Sequence, residues 1–140
     1  MGSFRASLEL GGKEFDVLQT EYAFSRDTDK KGKIASNVYG GRINITIEST
    51  ADTSVIEAML NSQFKAIEGK IVFKKSEEDS KMKEVEFKNA YIVYYKENLD
   101  VNGIVPMVIN FTISAEEMSI GNAAIDNRWP SSISIYLVIL

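Results

Sequence analysis

The sequence predicts a mainly β protein: an antiparallel β-barrel with one short α-helix on its flank. Strict alternation of apolar and polar residues runs through most of the chain, as half-buried strands require. The period changes to a helical one in a single place. At least six alternating segments follow one another with short turns between most of them, and a closed barrel suits that count because closure leaves no exposed edges.

The elements read as follows. Phe4, Ala6, Leu8 and Leu10 share one parity and form the first strand. Gly11-Gly12 makes a tight hairpin turn, since glycine accepts positive φ without strain. A second strand runs from about Lys13 to Arg26. Phe15 and Val17 share one parity there, while Leu18, Tyr22 and Phe24 share the other, so a bulge is expected near Val17. Asp27 to Gly41 is polar and punctuated by glycine, and reads as a long excursion of the functional kind. Ile43, Ile45 and Ile47 mark the third strand.

Between Asp52 and Phe64 the residues Val55, Ile56, Met59 and Leu60 fall on one helical face. Ser54 and Glu57 fit a capping box, with Asp52 or Thr53 as alternative caps. Gly69 to Lys75 is a strand, and Ser76 to Ser80 a charged turn. A long strand spans about Met82 to Glu97, with Val85, Phe87, Tyr91, Val93 and Tyr95 assigned to one face. From Ala90 to Tyr95 both faces are apolar or aromatic, which marks a strand covered on two sides. Asn98 to Gly103 turns the chain, and a further strand covers Val105 to Ile113. Ser114 to Asn127 is mixed and is expected to hold a short strand or coil. The chain divides into one domain over residues 1–130 and an apolar segment over 131–140, whose β-prone residues need a cover.

Composition narrows the chemistry. The 140 residues suit one domain, and 44% hydrophobic with 26% charged residues is an ordinary globular balance. A net charge of −4 argues against nucleic acid, whose phosphates call for clustered Lys and Arg. The chain has no cysteine and no histidine, which removes thiolate chemistry, the commonest general base and the commonest metal ligand. No apolar signal core opens the sequence and no stretch is long enough to span a bilayer, so a protein folded in the cytoplasm is expected, without membrane insertion.

The motifs on offer have plain readings. Asp27, Asp29 and Gly32 match the opening of a calcium loop, but Lys31 and Val38 stand where ligands belong. Asn44-Ile45-Thr46 and Asn110-Phe111-Thr112 match a glycosylation sequon, yet both lie inside strands. The acidic runs Glu77-Glu78-Asp79 and Glu116-Glu117 read as solvated faces. No phosphate-binding loop and no nucleophile elbow occurs. No catalytic, cofactor-binding or metal site is therefore expected, and the protein is read as no enzyme. An enzyme working with carboxylates alone is the weakest alternative. A monomeric small-ligand barrel, with the tyrosine-rich strand as pocket wall, is the stronger one.

Several segments together resemble the tube protein of the type VI secretion system, the haemolysin-coregulated protein family, in the form found in Bacteroidetes. The opening Ser3 to Leu18 carries the likeness, as do Tyr22 to Asp27 and Val38-Tyr39-Gly40-Gly41. So do Ile47 to Met59, Gly69 to Lys75 and Pro106-Met107, in the same order along roughly residues 3 to 130. The resemblance implies a barrel with one flanking helix, and hexameric rings that stack into a hollow tube. It further implies a contractile sheath, a spike protein and effectors in the lumen as partners, and export without a signal peptide. Under this reading Asp27, Asp29, Lys30, Lys31 and Lys33 belong to a ring-stacking loop, and Tyr91, Val93, Tyr94 and Tyr95 to a subunit interface. A head-to-tail ring needs two different complementary surfaces of this kind. The segment after Pro130 departs from the family pattern.

Overall fold

The computed structural model describes residues 3–75 and 80–130. Its elements are β1 (Phe4–Leu10), β2 (Lys13–Tyr22), β3 (Arg42–Glu48), α1 (Ser54–Leu60), β4 (Ile67–Lys75), β5 (Lys81–Leu99), β6 (Met107–Ile120) and β7 (Ala123–Asp126). All pairings are antiparallel, in the order β3-β2-β1-β4-β5-β6-β7. β3 also pairs with β6, from Arg42 opposite Ser114 to Glu48 opposite Val108. That pairing closes six strands into a barrel, and β7 continues along the remainder of the same β6 edge.

The interior is filled by the inward residues of this ring. Leu8, Ile43, Ile45, Ile71, Phe87 and Phe111 are each at most 2% exposed. The cavity that a ligand-binding barrel requires is occupied by side chains, so the small-ligand reading loses its pocket. Gly69 shows how tight the wall is: a Cβ there would stand 2.2 Å from the Glu9 carbonyl oxygen and 2.9 Å from the Phe87 ring.

Three departures from strict alternation shape the barrel. In β2 the register shifts between Val17 and Gln19, as the parity change predicts, and Leu18 is left pointing outward. In β5 the buried positions run Val85, Phe87, Ala90, Ile92, while β6 opposite buries Ala115 and Met118. Both strands therefore change face at one level, where Asn89 adopts φ 49°. The Asn89 amide donates to the Glu116 carboxylate at 2.7 Å. A second shift between Ile92 and Tyr94 turns Tyr95 inward and leaves Val93 exposed. The single face assigned to Val85, Phe87, Tyr91, Val93 and Tyr95 is thus corrected. Bulges, which insert one unpaired residue, reverse the parity twice.

Other boundaries also differ from expectation. β2 stops at Tyr22, four residues before Arg26, because Ser25 turns to bridge Tyr39. β6 runs on through the mixed segment to Ile120, held by β5 on one edge and by β3 and β7 on the other. The helix is shorter than its periodic pattern and begins after Thr53, which is its N-cap. Glu57 accepts the Thr53 hydroxyl at 2.6 Å, so the Ser54–Glu57 box is not formed. Val55, Ala58 and Met59 face the core, while Leu60 stays exposed.

Asp52 ties the helix start to the barrel. Its carboxylate accepts the Ser54 N–H at 2.7 Å and the Lys13 ammonium of β2 at 3.0 Å. Hydrogen bonds from Ser54, with Lys13 beside them, lower its pKa from 3.8 to about 2. A depressed carboxylate contributes stability above its unfolded pKa and loses it as pH falls through the folded one. Asp52→Ala is therefore expected to lower the melting temperature at pH 6, with the difference from wild type fading between about pH 4 and about pH 2. Phe111→Ala is expected to lower unfolding free energy by about 3–5 kcal/mol in urea titrations, since its ring fills the barrel centre.

Candidate assembly surfaces

A closed barrel offers partners its side chains and its loops. The excursion between β2 and β3 is an ordered hairpin. Ser25 bridges Tyr39 and Thr28 bridges Ile34. Asp29 builds the tip: its carboxylate accepts the N–H groups of Lys31 and Lys33, each at 2.9 Å, and its carbonyl accepts that of Gly32 at 2.9 Å. Gly32 takes φ 87° there, a conformation that favours glycine. Lower down, the Asp27 carbonyl accepts the Ala35 N–H at 2.8 Å, and its carboxylate accepts the Tyr39 hydroxyl at 2.6 Å. Each aspartate thus spends one carboxylate oxygen and its carbonyl inside the hairpin. Among the described residues no group of three or more acidic, His or Cys side chains is placed to hold a metal. Lys30, Lys31 and Lys33 are exposed around this rigid tip.

The base of the hairpin is sewn to the barrel. Gly41, at φ 110°, accepts the Ala115 N–H at 2.8 Å through its carbonyl. The Asn127 side-chain amide donates to the carbonyls of Gly40 at 3.0 Å and Ala115 at 3.3 Å. A Cβ on Gly41 would lie 2.6 Å from the Ala115 oxygen, so only glycine passes here.

The four residues proposed on β5 do not form one surface. Tyr95 packs against the core, and burial, helped by Glu97, pushes its hydroxyl pKa up. Val93 and Tyr94 are about half exposed, at 43% and 50%. Tyr91 donates its hydroxyl to the Phe64 carbonyl at 3.3 Å. Phe64 and Leu60 are themselves exposed, at 91% and 60%. The helical period places Leu60 on the apolar face and Phe64 at the end of the helical segment. The helix ends at Leu60, which leaves both outside.

Beside Tyr94 the outward faces of β3 and β6 carry the two sequon-like triplets. They pair in register, Asn44 opposite Thr112 and Thr46 opposite Asn110. The Thr46 hydroxyl donates to Asn110 Oδ1 at 2.6 Å, and that of Thr112 to Asn44 Oδ1 at 2.7 Å. The triplets are cross-strand locks of the closure. Of the acidic runs, Glu77-Glu78-Asp79 lies outside the described residues. Glu116 is structural: besides Asn89 it accepts the Trp129 N–H.

Comparison with known proteins gives the following. The family model described as haemolysin-coregulated protein Hcp (TssD) matches residues 2–130. Hcp1 from Flavobacterium johnsoniae is 37% identical with a TM-score of 0.84, over 88% of this chain and 99% of that one. Hcp1 from Salmonella typhimurium is 10% identical with a TM-score of 0.70, over 88% and 91%, and shares the fold. So does the sheath/tube terminator of an extracellular contractile injection system, 14% identical with a TM-score of 0.57, over 83% and 92%. No curated protein sequence matches the chain.

Trp129 is the chain's single tryptophan and sits near the end of the matched region. Its ring lies 6.1 Å from that of Tyr91, against β5. Glu116→Ala is expected to release it. Its fluorescence maximum should then move to longer wavelength and acrylamide quenching should rise, with the far-ultraviolet circular dichroism unchanged.

Proposed function

The chain belongs to the haemolysin-coregulated protein (TssD) family, and from that premise we propose that it assembles into hexameric rings that stack as the inner tube of a type VI secretion system. Family members are structural tube proteins, and the chain is not an enzyme. The observation that carries the reading is the full-length match to Hcp1 from Flavobacterium johnsoniae, which leaves 1% of that chain uncovered. A barrel without open edges at its closing seam meets its neighbours through side chains, and a ring requires two unlike patches that fit one another. The outward face of β5, with half-buried Tyr91 and exposed Val93 and Tyr94, is one such patch. Tyr95, turned inward, supports this strand from behind.

The hairpin provides the axial contact. Its rigid tip presents Lys30, Lys31 and Lys33 to acidic groups of the next ring, which sets register more than affinity. Asp27 and Asp29 hold the tip in shape. The stacked tube is driven by the contractile sheath behind a spike protein, with effectors in its lumen. It leaves the cytoplasm through that apparatus. Among the described residues no helix is long and apolar enough to cross a membrane.

Light scattering after gel filtration tests the ring. The subunit is 15.6 kDa, so a hexamer weighs about 94 kDa. A stable monomer at assay concentrations overturns the assignment. The triple variant Lys30→Glu, Lys31→Glu, Lys33→Glu is expected to keep the ring mass and to lose stacked particles in negative stain. Normal stacks in that variant would remove the hairpin from the axial contact.

A further inference from the structure

The apolar segment over 131–140 lies outside the described residues. Within the described residues, apolar side chains stand exposed together at the turn from β5 to β6. Ile104 is fully exposed, and Val101 and Leu99 are 74% and 62% exposed. The turn that carries them is ordered. Leu99 pairs with Met107, and the Asp100 N–H donates to the Pro106 carbonyl at 2.7 Å. The Gly103 N–H donates to the Asp100 carbonyl at 2.9 Å, and the Asn102 N–H to the Asp100 carboxylate at 3.1 Å. Apolar side chains held outward on a braced turn form a knob of the kind that marks a protein contact.

A matching hole lies at the far end of β6. Past its pairing with β3, β6 continues beside β7, and the stem of the hairpin stands against them. Phe24 and Val38 of that stem, Met118 and Ile120 of β6, and Ala124 and Ile125 of β7 line a cavity of about 200 Å3, apolar on every side. Met118 is buried and forms its floor, while Phe24 and Val38 stay exposed at its rim. One wall is preformed, since the Phe24 ring lies so close on Gly40 that a Cβ there would stand 2.2 Å from it. An apolar cavity of about 150 Å3 holds benzene, so this hole has room for a branched aliphatic side chain.

Knob and hole stand at opposite ends of one strand. β6 starts beside the knob at Met107 and ends in the hole at Ile120, roughly 40 Å away at about 3.3 Å per residue. The packed barrel lies between them, so a subunit cannot fill its own hole. We propose that Ile104 and Val101 of one copy seat in this cavity of a second copy placed head to tail along the tube axis, a contact that deepens the stacking reading and rests on it. A knob and a hole at separate places on one molecule make a heterologous contact that does not close, and its repetition extends a filament. The hairpin carries both the lysine tip and one wall of the hole, so the two features share one end of the subunit. The lysines then guide register, and burial of the knob holds the copies together.

Cross-linking tests the contact against a clean background, since the chain has no cysteine of its own. The full chain with Ile104→Cys/Val38→Cys, oxidised briefly with copper phenanthroline and run without reductant, is expected to give a ladder of trimers and higher multiples. Each single cysteine variant is expected to stop at dimers. Adding Val101→Asp to the double variant should cut the ladder by about tenfold or more, because a charge does not enter an apolar hole. Ala124→Phe, which fills the hole from the other side of the contact, should do the same. Far-ultraviolet circular dichroism is the folding control in each case. A double variant that stops at dimers overturns the inference, as does a ladder that survives both added substitutions with the fold intact. The light-scattering mass of the unaltered chain judges the ring separately. A ladder from a chain of monomer mass keeps the contact and removes the ring, and a ring mass without a ladder does the reverse.

Discussion

Pairing of β3 with β6 is the contact on which the rest of the molecule depends. Without it the six strands would form an open sheet with two long edges, and edges invite pairing with other chains. With it the apolar faces of Ile43, Ile45 and Ile47 meet those of Ile109, Phe111 and Ile113 inside one packed core. The same pairing brings the two N-x-T triplets together on the outside, where each asparagine accepts the hydroxyl of the other strand's threonine. Inside and outside of the seam are thus closed by different chemistry in one register. A slip by one residue would reverse both at once.

Closure imposes geometry that straight strands cannot meet. β5 and β6, the longest strands, accommodate it by changing face together at Asn89 and Glu116. Glu116 then does more than bridge that corner, since it also holds the backbone of Trp129. At the same end of the closing seam Gly40 and Gly41 are threaded between Phe24, Ala115 and Asn127 with no room for a side chain. The hairpin at 27–41 begins directly beside this tight point. Its tip is ordered by its own aspartates, so its lysines are carried on a stiff arm fixed to the closing strands.

The consequence for assembly is a division of labour. The core is spent on closing the barrel. In the proposed assembly the partners would meet exposed Val93 and Tyr94 on β5 and the basic tip of the hairpin, two surfaces of unlike chemistry. A heterologous ring and an axial stack each need a surface of their own. An ion-pair network of Lys70 with Glu9 and Glu84 spans β1, β4 and β5 at 3.6 and 3.1 Å. It lies at the surface with Glu84 partly covered, and adds register more than stability.

The sequence by itself determined the elements whose burial is one-sided. Phe4 to Leu10, Ile43 to Ile47 and Met107 to Ile113 alternate cleanly because one face meets the core and the other meets water. The Gly11-Gly12 turn, at φ 58° and 78°, and the bulge beside Val17 were also legible, since each leaves a local mark. Only the tertiary structure decided which face each residue of 87–95 takes, where β6 ends, and which of Tyr91, Val93, Tyr94 and Tyr95 remain available. It also decided that the acids of the hairpin are internal braces and that Phe64 is outside. In all these places the deciding partner lies far along the chain: Glu116 for Asn89, Tyr39 for Asp27, β6 for β3. Local periodicity records whether a position is half-buried. It does not record the partner strand that forces a bulge or the distant group that consumes a hydrogen bond.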